Sequence, residues 1–204
     1  NDVGSVKGSV VAAARFALGG RFARFVPGHP IAGTERSGVR ASFAGLFRGR
    51  RVILTPEPDT EEEAVDRVRA MWELTGAQVV VMSAAEHDQV LAASSHLPHV
   101  LAYALVDLFV RRDDHRRIFE CAAGGFRDFT RIASSDPELW RDICLANRDA
   151  LAVILRQYQN DLGDMIDAIE SGDGRWLEDT FARAKHARDA LLPNDEERSG
   201  HDGS

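Results

Sequence analysis

Apolar residues recur three and four apart over residues 6–18, with Val10, Val11, Ala14 and Leu18 on one stripe, and predict an amphipathic helix closed by Gly19-Gly20. Residues 24–26 have the length and apolar character of a strand. The Pro-Gly-His-Pro at 27–30 cannot extend it, because neither proline carries an amide donor, so His29 is expected on a stiff turn at the strand's exit. Phe43, Leu46 and Phe47 form an apolar cluster ahead of a second short strand at 51–55, which Pro56 and Pro58 close. Residues 60–63 have capping-box spacing, and Val65, Val68 and Trp72 carry a helix with one buried face to Gly76. Residues 77–82 are a continuous apolar run of strand length. Residues 2–4 read as the end of a preceding strand, with Ser5 as the N-cap of the first helix. This half alternates β and α, as in the tail of a doubly wound domain.

The pattern changes after Ser83. Residues 84–111 read as one helix rich in Leu, Ala and Val, about 42 Å long at 1.5 Å per residue, which Pro98 should kink. A second long helix is expected from Asp136 as N-cap and Pro137 in its first turn to Gly172, with Leu151, Ile154, Tyr158, Leu162, Met165 and Ile169 on one stripe. A third, 175–192, carries Leu177, Phe181, Ala184 and Leu191 on one side, and the tail from Pro193 is polar enough to be disordered. The expected organisation is an α/β part over 1–83, an all-helical domain over 84–192 and a tail over 193–204. Stripes this long and wide, with few other elements to cover them, predict a homodimer that shares the helical domain.

The chain's 204 residues, 44% hydrophobic and 28% charged, are enough for a sizeable core. A net charge of -7 speaks against nucleic acid as a partner, and Arg48, Arg50 and Arg51 read as a solvated loop. Cys121 and Cys144 are isolated, as reduced thiols are. No run of 18 uninterrupted apolar residues and no opening signal segment occur, so the expectation is a cytoplasmic protein without a membrane partner. No strand is followed by G-x-G-x-x-G; Gly19-Gly20 and Gly172-Asp173-Gly174 have the wrong spacing.

Three groups of residues could carry chemistry. His29, at a sheet edge, is either a base or a turn histidine bonded to its own loop. His87, His96 and His99 fall within about 60° of one helix face at 100° per residue, but no carboxylate or cysteine completes a familiar ligand spacing, so hydrogen-bonded helix histidines are expected and no metal. Arg127 and Arg131 are four apart, hence on one side of a short helix. Arg131 could clamp a carboxylate through two parallel bonds or pair with Asp128 on an exposed face.

Four segments, in order, share a resemblance. Asp2-Val3-Gly4-Ser5-Val6-Lys7, then Gly28-His29-Pro30 with Gly33 and Glu35, then Ser95-His96-Leu97-Pro98-His99, then residues 124–131 running on to Trp140, together resemble the prephenate dehydrogenase family of tyrosine biosynthesis. The resemblance implies the later part of a Rossmann-like nucleotide-binding domain whose first half is absent from these residues, followed by an all-helical dimerisation domain. It also implies His29 as the base that takes the substrate hydroxyl's proton, with Ser5 close to the reacting ring and Ser5, Gly28 and Pro30 beside the nicotinamide of NAD or NADP. Arg131 would bind the substrate carboxylate, with Arg127, His96, His99, Glu35 and Trp140 around the pocket. The implied reaction is oxidative decarboxylation of prephenate. The alternatives are arogenate as substrate, or an inactive helical dimerisation module.

Overall fold

The computed structural model describes residues 1–33 and 42–191; the tail expected at 193–204 lies outside them. Strands β1 (Gly28–Pro30), β2 (Arg51–Leu54) and β3 (Gln78–Val81) form a sheet in the order β1-β2-β3. β2 and β3 are parallel and are joined through helix α2 (Glu62–Glu73), the crossover that the alternating pattern predicts. β1 runs antiparallel, with Gly28 opposite Leu54 and Pro30 opposite Val52. Under the sheet, Val26, Val52 and Leu54 are fully buried with Trp72 and Ala77. Phe47 meets Trp72 edge to face at 5.1 Å, while Phe43 stays exposed.

The first strand is not where the pattern placed it. Residues 19–24 form a 3-10 turn, and the strand begins after Pro27, so His29 and Pro30 lie inside it. An edge strand tolerates this. The Thr55 amide donates to the Pro27 carbonyl at 2.9 Å and the Ile31 amide to the Arg51 carbonyl at 2.8 Å, so odd-numbered residues bond to β2 and the backbone groups of 28 and 30 point away. Pro30 has no donor to lose on that side. Gly28 has both groups there, and they are taken by Asp2 and Lys7, which substitute for a neighbouring strand: the Gly28 amide donates to Asp2 Oδ1 at 2.9 Å and Lys7 Nζ donates to the Gly28 carbonyl at 2.7 Å. Residues 2–4 are accordingly not a strand.

Two expected caps also differ. Helix α1 is Lys7–Leu18; Val6 occupies the N-cap without a side-chain bond, and Ser5 lies at the bend before it. The free amides of Lys7 and Gly8 instead donate at 2.8 Å each to the two carboxylate oxygens of Asp88, a stronger acceptor than a serine hydroxyl and a negative charge at the positive helix end. At α2 the capping box does not form: Glu61 is the N-cap, and Thr60 Oγ1 accepts from the Glu57 amide at 2.9 Å.

After Ser83, whose hydroxyl caps the helix by accepting from the Glu86 amide at 3.1 Å, residues 84–110 stay helical: α3 (Ala84–Leu91), a π turn (Ala92–His96) and α4 (Leu97–Val110). Pro98 sits in the first turn of α4. The wider π turn precedes it where its ring would meet the Ser94 carbonyl four residues back, so the misfit is absorbed by unwinding rather than by a proline kink. By length and mean hydropathy, 1.2, this stretch could cross a membrane, yet it buries His87 and His96 completely against polar partners on other elements.

Short helices α5 (His115–Glu120) and α6 (Gly124–Thr130) follow, then a 3-10 turn (Arg131–Ser134). Helix α7 (Pro137–Ala146) starts as expected, with Asp136 accepting from the amides of Glu138 and Leu139 at 2.8 and 3.2 Å. The helix expected to run unbroken to Gly172 is interrupted at Asn147, and α8 (Arg148–Ser171) resumes after it. The described residues fall into two compact units that divide between Ile154 and Leu155. In the second, Gly172 at φ 71° turns the chain from α8 into α9 (Gly174–Leu191), where the Asp173 carboxylate accepts from the Trp176 amide at 3.0 Å.

Candidate active site

Because β1 runs against β2, its first residues lie at the carboxyl ends of β2 and β3, the edge where open α/β sheets bind ligands. Gly28 opens the strand. A β-carbon there would fall 2.5 Å from Asn1 Oδ1 and 3.2 Å from a Leu54 methyl, so any larger residue would make the Asn1 side chain shift. Lys7 closes the same clasp. Its ammonium is fully buried, forms an ion pair with Asp2 and donates to the Gly28 carbonyl. Burial lowers the Lys7 pKa, and Asp2 opposes that shift.

His29 Nδ1 lies 2.9 Å from Nε2 of His87, with the rings edge to face at 5.1 Å between centroids. The other nitrogen of His87, Nδ1, is 2.8 Å from Asp88 Oδ1. Desolvation pushes the His29 imidazole down to about 3, helped by His87, Lys7 and His96 around it and opposed by Asp2. His29 is therefore neutral near pH 7. Burial alone would raise the Asp88 carboxyl, but the hydrogen bonds from His87 and from the amides of Lys7 and Gly8 outweigh it and hold the pKa below the usual value.

The interruption between α7 and α8 belongs to the same network. Asn147, buried, directs its side-chain amide to the Asp88 carbonyl at 2.8 Å and to Nδ1 of His96 at 3.1 Å. An amide that donates to Nδ1 leaves His96 with its proton on Nε2. His96 is likewise neutral, lowered to about 4 chiefly by burial. Trp140 stands 6.1 Å from His96 and stacks on His99 at 3.6 Å and 18° between planes; His99 in turn bonds to the Ser95 carbonyl at 2.9 Å.

The structure thus joins His29, His96, His99 and Trp140 through contacts that run by way of His87, Asp88 and Asn147. Ser5 lies two residues before Lys7, at the entry to α1. Arg127 is in the last turn of α6 and Arg131 opens the 3-10 turn after it; both elements pack on α4, the helix that carries His99. Glu35 lies outside the described residues. Asp2, Lys7, Asp88 and Asn147 were not among the expected site residues, and His87 was expected only as a hydrogen-bonded helix histidine. Charged or amide groups placed among apolar positions were the available signal, but their partners lie up to 81 residues away.

The comparisons with known proteins agree on one family. Residues 1–81 match the nucleotide-binding domain of prephenate dehydrogenase and residues 83–183 its dimerization domain. A cyclohexadienyl dehydrogenase of Zymomonas mobilis is 43% identical over 192 residues, and a prephenate dehydrogenase of Bacillus subtilis 40% over 191. The alignments cover 93% of this chain in both cases but 65% and 51% of those relatives, so the chain spans between half and two thirds of their length. Among solved structures, prephenate dehydrogenase of Aquifex aeolicus in complex with hydroxyphenyl propionate and NAD+ superposes with a TM-score of 0.86 at 40% identity, covering 93% of this chain and 66% of that one. Arogenate dehydrogenase of Synechocystis does so with 0.80 at 29%, covering 94% and 68%. A nucleotide-binding domain carried on a helical dimerization domain is the class of protein that fold and matches define together. The chain belongs to the prephenate dehydrogenase family.

Proposed function

We propose that this chain carries the catalytic base and the substrate pocket of an NAD(P)-dependent prephenate dehydrogenase. The observation that supports it most is His29, neutral and desolvated, with Nδ1 engaged by His87 and Nε2 left for a ligand at the sheet edge. The edge also fits the nicotinamide end of a dinucleotide, whose oxidised ring is cationic: burial keeps His29 and His96 uncharged, and Lys7 is balanced by Asp2. Ser5, Gly28 and Pro30 would border that ring. The bound dinucleotide supplies the hydride acceptor.

In this reading Nε2 of His29 accepts a hydrogen bond from the ring hydroxyl of prephenate and takes its proton as the hydride leaves the same carbon. The O–H electron pair becomes the second bond of a carbonyl. The bond to the ring carboxylate then breaks and carbon dioxide leaves; its electron pair forms a new ring double bond, one of the two existing ring double bonds shifts to the carbonyl carbon, the carbonyl pair goes to oxygen, and the proton returns from His29 to complete the phenol. His96, with its proton on Nε2, can donate to substrate oxygen, and the stacked His99 and Trp140 give the pocket a flat wall. Arg131 is assigned to the substrate carboxylate, with Arg127 and Glu35 beside it.

Helical residues left exposed in each unit support a homodimer: Leu145 and Val153 at 64% and 70%, and Ile166, Ile169 and Phe181 at 53%, 60% and 56%. Prephenate is favoured over arogenate because the relatives at 40% identity or more are named for prephenate or cyclohexadienyl substrates, and the arogenate enzyme stands at 29%.

Joining the chain to the segment that completes the Zymomonas mobilis relative allows a kinetic test. His29→Asn should lower turnover on prephenate about a hundredfold or more, the usual worth of a general base, with KM little changed; near-normal turnover would remove His29 from the mechanism. Arg131→Ala should weaken substrate binding by roughly 2 to 5 kcal/mol, expressed mainly in KM, and Arg131→Lys should restore only part of it. An unchanged KM in both would defeat that assignment. Sedimentation equilibrium at micromolar concentration should return the mass of two chains, and a folded monomer would contradict the shared helical domain.

A further inference from the structure

We infer that His87 and Asp88 are positioning residues that set the tautomer of His29: Asp88 holds the proton of His87 on Nδ1, and His87 then holds the proton of His29 on its Nδ1, leaving the Nε2 lone pair free. The inference rests on the reading of His29 as the base and concerns residues to which that reading gives no part. Its starting point is a carboxylate with three donors aimed at it. Asp88 takes the amides of Lys7 and Gly8, one on each oxygen, and His87 Nδ1 on Oδ1, all at 2.8 Å. At the N-terminus of α1 such a group stays ionised and can only accept, so the hydrogen in the 2.8 Å contact belongs to His87.

The rest follows from counting protons. Neutral imidazole has one N–H, so with Nδ1 of His87 protonated its Nε2 bears a lone pair. That lone pair faces His29 Nδ1 at 2.9 Å, which must then be the protonated nitrogen of His29. The alternative is an imidazolium at His87, which would donate from both nitrogens and reverse the tautomer of His29, placing N–H where the base needs a lone pair. The His87 side chain is fully buried, and the carboxylate beside it already accepts two helix-terminal amides. The groups that face His29 are His87 from α3, His96 from the π turn, Lys7 from α1 and Asp2 before it. Among the described residues, none of the others offers an acceptor at hydrogen-bond distance to Nδ1. An aspartate that orients a histidine and fixes its tautomer is the arrangement of the serine protease triad, where the asparagine variant loses activity through the wrong tautomer. Here the device is extended by one imidazole.

The test needs no catalysis. In the 204-residue chain with ¹⁵N-labelled histidine, long-range ¹H–¹⁵N correlations at pH 7 report which nitrogen of each ring carries the proton, and loss of signals in His29→Asn assigns that ring. His29 and His87 should both show Nδ1–H with Nε2 unprotonated. In Asp88→Asn the new amide can donate to His87 Nδ1, so both tautomers should invert together. In His87→Phe the lock is gone, and His29 should show a mixture. His29 with its proton on Nε2, His87 protonated on both nitrogens, or a His29 tautomer unmoved by Asp88→Asn would each overturn the inference. Should Asp88→Asn fail to fold, the wild-type and His87→Phe spectra decide alone. In the completed enzyme, Asp88→Asn should lower kcat about a hundredfold or more with KM little changed. Tautomers that invert while kcat stays normal would instead overturn the reading of His29 as the base.

Discussion

Asp88 is the one carboxylate on which the first compact unit turns. Its two oxygens hold the leading amides of α1, one of them also holds His87, and its backbone carbonyl receives Asn147 from the break between α7 and α8. Three segments far apart in sequence are thereby fixed relative to β1, whose His29 meets His87. Such a charge is stable at partial burial only because every lone pair that leaves water finds a donor. Removing it would leave the amide of buried Lys7 and the His87 imidazole unsatisfied, at about 1–3 kcal/mol for each buried donor left without a partner, while the exposed Gly8 amide could turn to water.

The second constraint is the edge of the sheet. β1 is three residues long and carries a proline, which would be inadmissible in a central strand. It persists because its outer backbone groups are met by the Asp2 and Lys7 side chains rather than by another strand. The same clasp neutralises the one ammonium near His29. Placing a neutral imidazole at this edge and completing the edge of the sheet are thus one arrangement.

Period and punctuation made much of this legible beforehand. Short apolar runs, one buried helix face and Pro/Gly boundaries marked β2, β3 and α2, and the Asp136-Pro137 start of α7 acts as its residue types demand. The errors share a cause. Ser5 and residues 60–63 have the chemistry of local caps, but a distant carboxylate displaced one cap and a turn claimed the threonine of the other. Pro98 signalled a kink, whereas the backbone relieved it with a π turn that buries His96. Asn147 carries no sign, within its own stretch of helix, that a histidine 51 residues earlier needs its amide. Among the site residues, His29, His96, His99 and Trp140 stood out by resemblance and proved to be joined by contact. The groups that orient them did not stand out, because an orienting residue is defined by its partner and not by its type.

The account depends on His29 being held neutral by burial, helped by the His87, Lys7 and His96 side chains around it. Because its pKa is lowered in the folded chain, protonation should be resisted through the range in which a free imidazole charges and should occur only in acid. A direct titration of the His29 ring by ¹H–¹³C NMR in this chain measures that. The account predicts no change from pH 8 to pH 5 and an inflection at about 3, or unfolding before it is reached. An inflection near the ordinary histidine value of about 6.5 would contradict it.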